Sequence, residues 1–147
     1  MERIIIILLS TIFIFSLSMT GCKENVSTLS PTLSQDENGN FILFVSNQSS
    51  EISLVDIRIY IDNELAVNQE FANKGGHNWI KYQFKLKDGN HTLYSTSTNG
   101  KARKDTTFTL PKTPYSIIDF WYHSASEGNK EIGEFSILFS DQPPGFM

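Results

Sequence analysis

Cysteine is almost absent: the 147-residue chain holds one, Cys22. That excludes an intramolecular disulfide framework and any zinc site built on cysteines. Proline and glycine are sparse, with five and nine residues, so a collagen-like chain is excluded as well. Basic residues are outnumbered. Twelve Lys and Arg face 16 Asp and Glu, a net charge of −4, which excludes a nucleic-acid binder working through bulk basicity. Helical periodicity is missing, and no long apolar run follows Met19. Also lacking are a G-x-S-x-G nucleophile elbow, an H-E-x-x-H zinc motif and a phosphate-cradling Gly loop. The chain therefore reads as a non-enzyme, with no cofactor and no metal. Its 39% apolar and 12% aromatic content is enough for one folded domain and excludes a wholly disordered chain.

The N-terminus carries the sharpest signal. After Met1-Glu2-Arg3 comes an apolar run from Ile4 to Met19, then Thr20-Gly21-Cys22-Lys23. A charged start, a short apolar stretch and small residues before a break have the anatomy of a secretory signal peptide. The run is shorter than the roughly 20 residues a bilayer-spanning helix needs. Met19-Thr20-Gly21-Cys22 resembles the lipobox of bacterial lipoproteins, with Met where Leu is commonest. The resemblance implies cleavage between Gly21 and Cys22, and a diacylglycerol and palmitate-type acyl anchor on Cys22. The alternative is an uncleaved anchor helix with a chance cysteine at its end. Either way the body lies on the extracytoplasmic face of the cell membrane. A lipid thioether also removes the one thiol that an oxidising compartment would attack. Cleavage takes away Glu2 and Arg3, so the body stays at −4 and does not adhere electrostatically to anionic lipid or nucleic acid.

Residues 1–21 are thus the expected signal peptide, 22–40 a lipid-anchored flexible linker and 41–147 a folded domain. The linker stretch KENVSTLSPTLSQDENGN is polar and aperiodic, and a flexible chain of that length spans roughly 20–25 Å. Asp36, Asn38 and Asn40 have the alternate spacing of a calcium loop. Phe41 stands where its glycine belongs and Asn47 where its closing Glu belongs, so the stretch reads as solvated linker.

From Phe41 onward the pattern has period two. In LVDIRIYID, Val55, Ile57, Ile59 and Ile61 alternate with Asp56, Arg58, Tyr60 and Asp62, as in a strand with one buried face. Asp62-Asn63, Asp88-Gly89 and Asn99-Gly100 mark turns, and Pro111 and Pro114 break the chain. Strands are expected at 41–46, 54–62, 65–71, 77–87, 91–98, 106–110, 115–123 and 132–141. Seven or eight short strands separated by turn signals predict an all-β, antiparallel β-sandwich. Its core candidates are Val55, Ile57, Ile59, Ile80, Tyr82, Phe84, Leu93, Phe108, Ile118, Phe120, Phe135, Ile137 and Phe139.

The run IYIDNEL, then FKLKDGNHTL, NGKA and TFTL, resembles bacterial immunoglobulin-like domains over residues 54–110. It implies an immunoglobulin-like sandwich and specifies no function. The whole chain resembles small lipoproteins of Gram-positive bacteria, which implies a place in the cell envelope and no activity.

The alternation leaves aromatic side chains on the polar faces. Trp79, Trp121 and Tyr60 are the candidate ligand-binding residues, since exposed Trp and Tyr stack on sugars or anchor protein interfaces. The competing reading makes Trp79 a satellite core residue beneath the tail or the 62–71 hairpin. The expected function is a non-catalytic binding or interaction module of the envelope with a protein partner. A small carbohydrate-binding module using these three aromatics is the alternative. A weaker alternative is a metal protein on His77, His91, His123 and Asp119, or a hydrolase on Asp119, Glu131 and Glu134.

Overall fold

The computed structural model describes residues 29–75, 78–124 and 132–145. Eight strands form two four-stranded sheets: β1 (Phe41–Asn47), β2 (Leu54–Ile61), β3 (Glu64–Ala72), β4 (Ile80–Phe84), β5 (Gly89–Ser97), β6 (Ala102–Leu110), β7 (Tyr115–His123) and β8 (Ile132–Ser140). One sheet has the order β4-β1-β7-β8 and the other β3-β2-β5-β6. The all-β sandwich predicted by the alternation is the fold.

β1 and β4 pair in one sheet, while β2 and β5 pair in the other. This is how the second and fifth, and the third and sixth, strands of an immunoglobulin sandwich are arranged. β3 and β6 extend the β2–β5 sheet as hairpin partners. β7 and β8 then occupy the side of β1 where an immunoglobulin fold has its first strand. One pairing departs from the expected antiparallel scheme: β1 and β7 run parallel, Ile42 opposite Tyr115 through Asn47 opposite Phe120. β7 belongs to the chain's last hairpin and reaches β1 by crossing from β6, which leaves it parallel to its neighbour.

Alternation decides what is buried. Val55, Ile57, Ile59 and Ile61 from β2 meet Phe41, Leu43 and Val45 from β1 and Ile118 and Phe120 from β7. Aromatic rings tie the sheets together. Phe108 stacks on Phe41 at 4.4 Å and on Phe139 at 5.2 Å, and Phe135 meets Phe120 edge-on at 5.6 Å. Of the core candidates, Ile80 is the one the structure moves outward, 37% exposed at the start of an edge strand. Ile137 and Phe139 pack against the core while partly exposed.

The turns follow their residues. Asp62 and Asn63 both have positive φ, the conformation a two-residue hairpin turn needs. In the β5–β6 turn the left-handed residue is Lys101, not Gly100. Glycine serves close approach there: a Cβ on Gly133 would lie 1.8 Å from the Gly100 carbonyl oxygen, so β8 docks directly on this turn. Lys104 Nζ donates to the Phe135 carbonyl and closes the same side of the sandwich. The Leu110–Pro111 peptide after β6 is cis.

The linker expectation is corrected over residues 29–40. The Thr32 and Leu33 amides donate to the Leu65 carbonyl, and the Leu65 amide donates to Thr32 Oγ1. Further along, the Asp36 amide donates to the Gln83 carbonyl. Asn40 bonds both polar backbone groups of Leu86 through its side chain. β3 and β4 are edge strands of opposite sheets, so this arm bridges the open side of the sandwich. Leu33 packs on the core there. Composition concealed this, because the contacts are backbone ladders and one apolar side chain, which a polar sequence supplies as well as any other. Asp36 and Asn38 form a side-chain turn, with the Asn38 amide donating to Asp36 Oδ1.

Candidate functional site

The two outer sheet faces carry the aromatic residues that the core leaves over. On the β4-β1-β7-β8 face, Trp79 precedes Ile80, which pairs with Val45. Ser46 pairs with Asp119, and Asp119 with Ser136. These residues form a row across the sheet. Trp79 Nε1 donates to Asp119 Oδ1 at 2.8 Å, and Ser46 Oγ donates to the same oxygen at 2.6 Å. An indole that reaches from β4 to β7 must cross β1. Trp79 is accordingly half-buried, a cover on the sheet and not a free platform. Phe44, on the same outer face of β1, is buried.

Trp121 is different. It stands 39% exposed beside Glu134, with Leu138 (59%) and Ile132 (53%) exposed on the same face of β8. Ile117, paired with Leu138, and Tyr115 are half-buried and lead to the tail at Pro143 and Pro144.

Tyr60 lies on the other sheet. Its partner across β5 is Tyr94, and Asp105 on β6 completes the row. The expected line of Trp79, Trp121 and Tyr60 is therefore not formed: two of the three sit on one broad face of the sandwich and the third on the opposite face. Strand alternation predicts which side of its own strand a residue takes. It does not say which sheet the strand joins, and that was the missing information. The Tyr60 and Tyr94 rings are 5.9 Å apart and inclined at 33°. They floor an open groove of about 600 Å³, lined also by Arg58, Asn63, Thr96 and Asp105.

One end of this face is built by a buried carboxylate that alternation had placed in solvent. Asp56 accepts from Ser97 Oγ (2.9 Å), the Thr98 amide (2.9 Å) and the Asn99 amide (2.8 Å), and so holds the β5–β6 turn against β2. The hydrogen bonds offset the cost of burying the charge. Beside it, an Arg58 Nη donates to Thr98 Oγ1 at 2.6 Å, while Arg58 Nε is buried with no acceptor.

The two described histidines, His91 and His123, have separate partners. His91 is bonded through both ring nitrogens, to Asp62 Oδ2 at 2.6 Å and to the Lys87 carbonyl at 2.7 Å. His123 meets Glu134 on the exposed end of β7 at 3.2 Å. His77, Glu131, Gly21 and Cys22 lie outside the described residues. Among the described residues no three His, Cys, Asp or Glu side chains group as metal ligands would. Asp119, a candidate metal ligand or hydrolase carboxylate, accepts hydrogen bonds from Trp79 and Ser46.

Sequence reasoning missed Tyr94, Arg58 and Asp105. The available signal was the shared outward parity of YID and LYSTST around two turns, which needed the β2–β5 register to become a site. No protein-family model and no curated protein matches this sequence.

Proposed function

We propose that this protein is a non-catalytic binding module held at the extracytoplasmic face of the cell membrane by lipid on Cys22. The anchor rests on the sequence: a short apolar run ending in Met19-Thr20-Gly21-Cys22. Two acyl chains hold a protein stably at a bilayer where one does so only marginally. The binding role rests on one observation, that both broad faces of the sandwich expose large apolar or aromatic side chains which the core does not absorb. Trp121, Leu138 and Ile132 on one face suit a protein partner, since aromatic anchors in a polar surround are what such interfaces use. The carbohydrate reading is favoured by the tyrosine-floored groove on the opposite face.

The docked arm shortens the tether. From Cys22 to Leu29 the chain reaches at most about 25 Å when fully extended. Leu29 is fixed through its carbonyl to Asn68 on β3. A lipid on Cys22 then keeps the β3 edge within that reach of the bilayer.

Cys22→Ser tests the anchor in the native host. Loss of palmitate labelling, together with transfer from the membrane fraction to soluble or uncleaved forms, is the expected outcome. A variant of mature size that stays with the membrane contradicts it.

A further inference from the structure

The outer face of β2, β5 and β6 holds two arginines that no carboxylate pairs with among the described residues. Arg58 pairs with Thr96, and Thr96 with Arg103, one row along from Tyr60, Tyr94 and Asp105. At the ordinary strand spacing the two arginine backbones stand about 10 Å apart across Thr96. Among the described residues neither arginine forms an ion pair. Arg58 has one Nη on Thr98 Oγ1, and its Nε is buried with no acceptor. A buried donor without a partner costs free energy that folding does not recover. Cross-strand pairing accounts for the tyrosines as sheet stabilisers. It does not account for two guanidinium groups without an ion pair among the described residues, beside an open groove of about 600 Å³, within the range of small-molecule sites of roughly 300–1,000 Å³.

We propose that this groove binds a carboxylate-bearing saccharide. A pyranose ring presents an apolar C–H face to Tyr60 and Tyr94, the contact an amphipathic tyrosine suits. Its carboxylate meets the Nη end of Arg58, one Nη of which keeps its bond to Thr98, with Arg103 adding positive charge at the rim. Asp105 and Asn63 line the groove and supply acceptors for sugar hydroxyls. Asp105 also argues against a bare polyanion such as a polyphosphate, which has no sugar hydroxyl to donate to it. Nucleic acid is disfavoured by the net charge of −4. The inference rests on the reading of the chain as a binding module exposed outside the cytoplasm, where glycans are met.

The test is calorimetric titration of the full chain in detergent micelles with three probes: trigalacturonate, neutral cellotriose and tripolyphosphate. Trigalacturonate is expected to bind at least tenfold more tightly than cellotriose. Arg58→Gln is expected to abolish that preference, and Tyr94→Ala to weaken binding of trigalacturonate at least tenfold. Lys85→Gln, which removes a cation just past β4 on the other sheet, leaves binding unchanged. Arg103→Gln serves as a second, exposed variant, with a smaller loss and an unchanged melting temperature. Absence of trigalacturonate binding overturns the proposal. So does tripolyphosphate binding as tight as trigalacturonate, or binding that survives Tyr94→Ala. Membrane retention of the parent chain is read separately: a parent that is retained yet binds no trigalacturonate overturns the groove assignment and leaves the anchor standing.

Discussion

His91 and Asp62 are joined at 2.6 Å, Nδ1 to Oδ2, and the other imidazole nitrogen meets the Lys87 carbonyl at 2.7 Å. Both partners are acceptors. Only the doubly protonated imidazolium donates from both nitrogens, so this geometry selects the charged form. The pair ties the β2–β3 turn to β5, because Asp62 Oδ1 also accepts from the Thr92 amide at 2.8 Å.

The pair gives the domain a pH dependence with a definite sign. Burial pulls the His91 pKa down from 6.5, but the hydrogen bonds to Asp62 and Lys87 and the Asp62 charge push it up and prevail. For Asp62, burial pushes the value up from 3.8, while the His91 and Thr92 hydrogen bonds and the His91 charge pull it down and prevail. A raised histidine stabilises fully below its unfolded value and loses that contribution as pH rises through the folded one. A lowered carboxylate stabilises above its unfolded value and loses that contribution as pH falls. The pair therefore contributes most between pH 3.8 and 6.5. His91→Ala is expected to cost about 2 kcal/mol at pH 5.5 and clearly less at pH 9. Thermal melts at the two pH values check this, and an equal loss at both contradicts it.

The docked arm depends on a close approach at Gly39. A Cβ there would lie 2.3 Å from the Phe84 carbonyl oxygen, which is backbone and cannot step aside. Gly39→Ala is expected to lift residues 36–40 from β4, to loosen the hold of Thr32 and Leu33 on β3 and to destabilise the domain by about 1–3 kcal/mol. Hydrogen exchange at the Leu33 and Asp36 amides reads it directly. Both amides are bonded in the arm, so they should be protected in the parent and exchange faster in the variant. Amides already unprotected in the parent would restore the free-linker reading.

The two tryptophans separate by quenching. Trp121 is 39% exposed, whereas Trp79 is half-buried with its Nε1–H on Asp119. Iodide should quench the parent partially, and Trp121→Phe should remove most of the quenchable emission. Trp79→Phe keeps an aromatic ring but loses the pyrrole half of the indole and its hydrogen bond to Asp119, and is expected to cost at least about 1 kcal/mol in a denaturant melt. If Trp79→Phe removed the quenchable emission instead, the row from Trp79 to Asp119 would be wrong.

The strands were legible because period two is a local signal. Val55 to Ile61 declare their buried face without help from the rest of the chain, and Asp62-Asn63 declares the turn. What escaped were properties of pairing between distant segments. Asp56 looks like a solvent-facing acid until the β5–β6 turn closes on it. The polar arm looks free until Leu65 and Gln83 offer it backbone partners. Tyr60 looks like a companion of the tryptophans until strand order assigns it to the other sheet. The same register that separates them brings Tyr60 to Tyr94.

The proposed lipid on Cys22 is read from the mass of the N-terminal peptide. The protein is purified from membranes of its native host and digested, and the first peptide is measured. The expected result is a peptide beginning at Cys22 and heavier than its sequence by a diacylglyceryl group. A peptide beginning at Met1, or an unmodified Cys22, would overturn the lipid anchor.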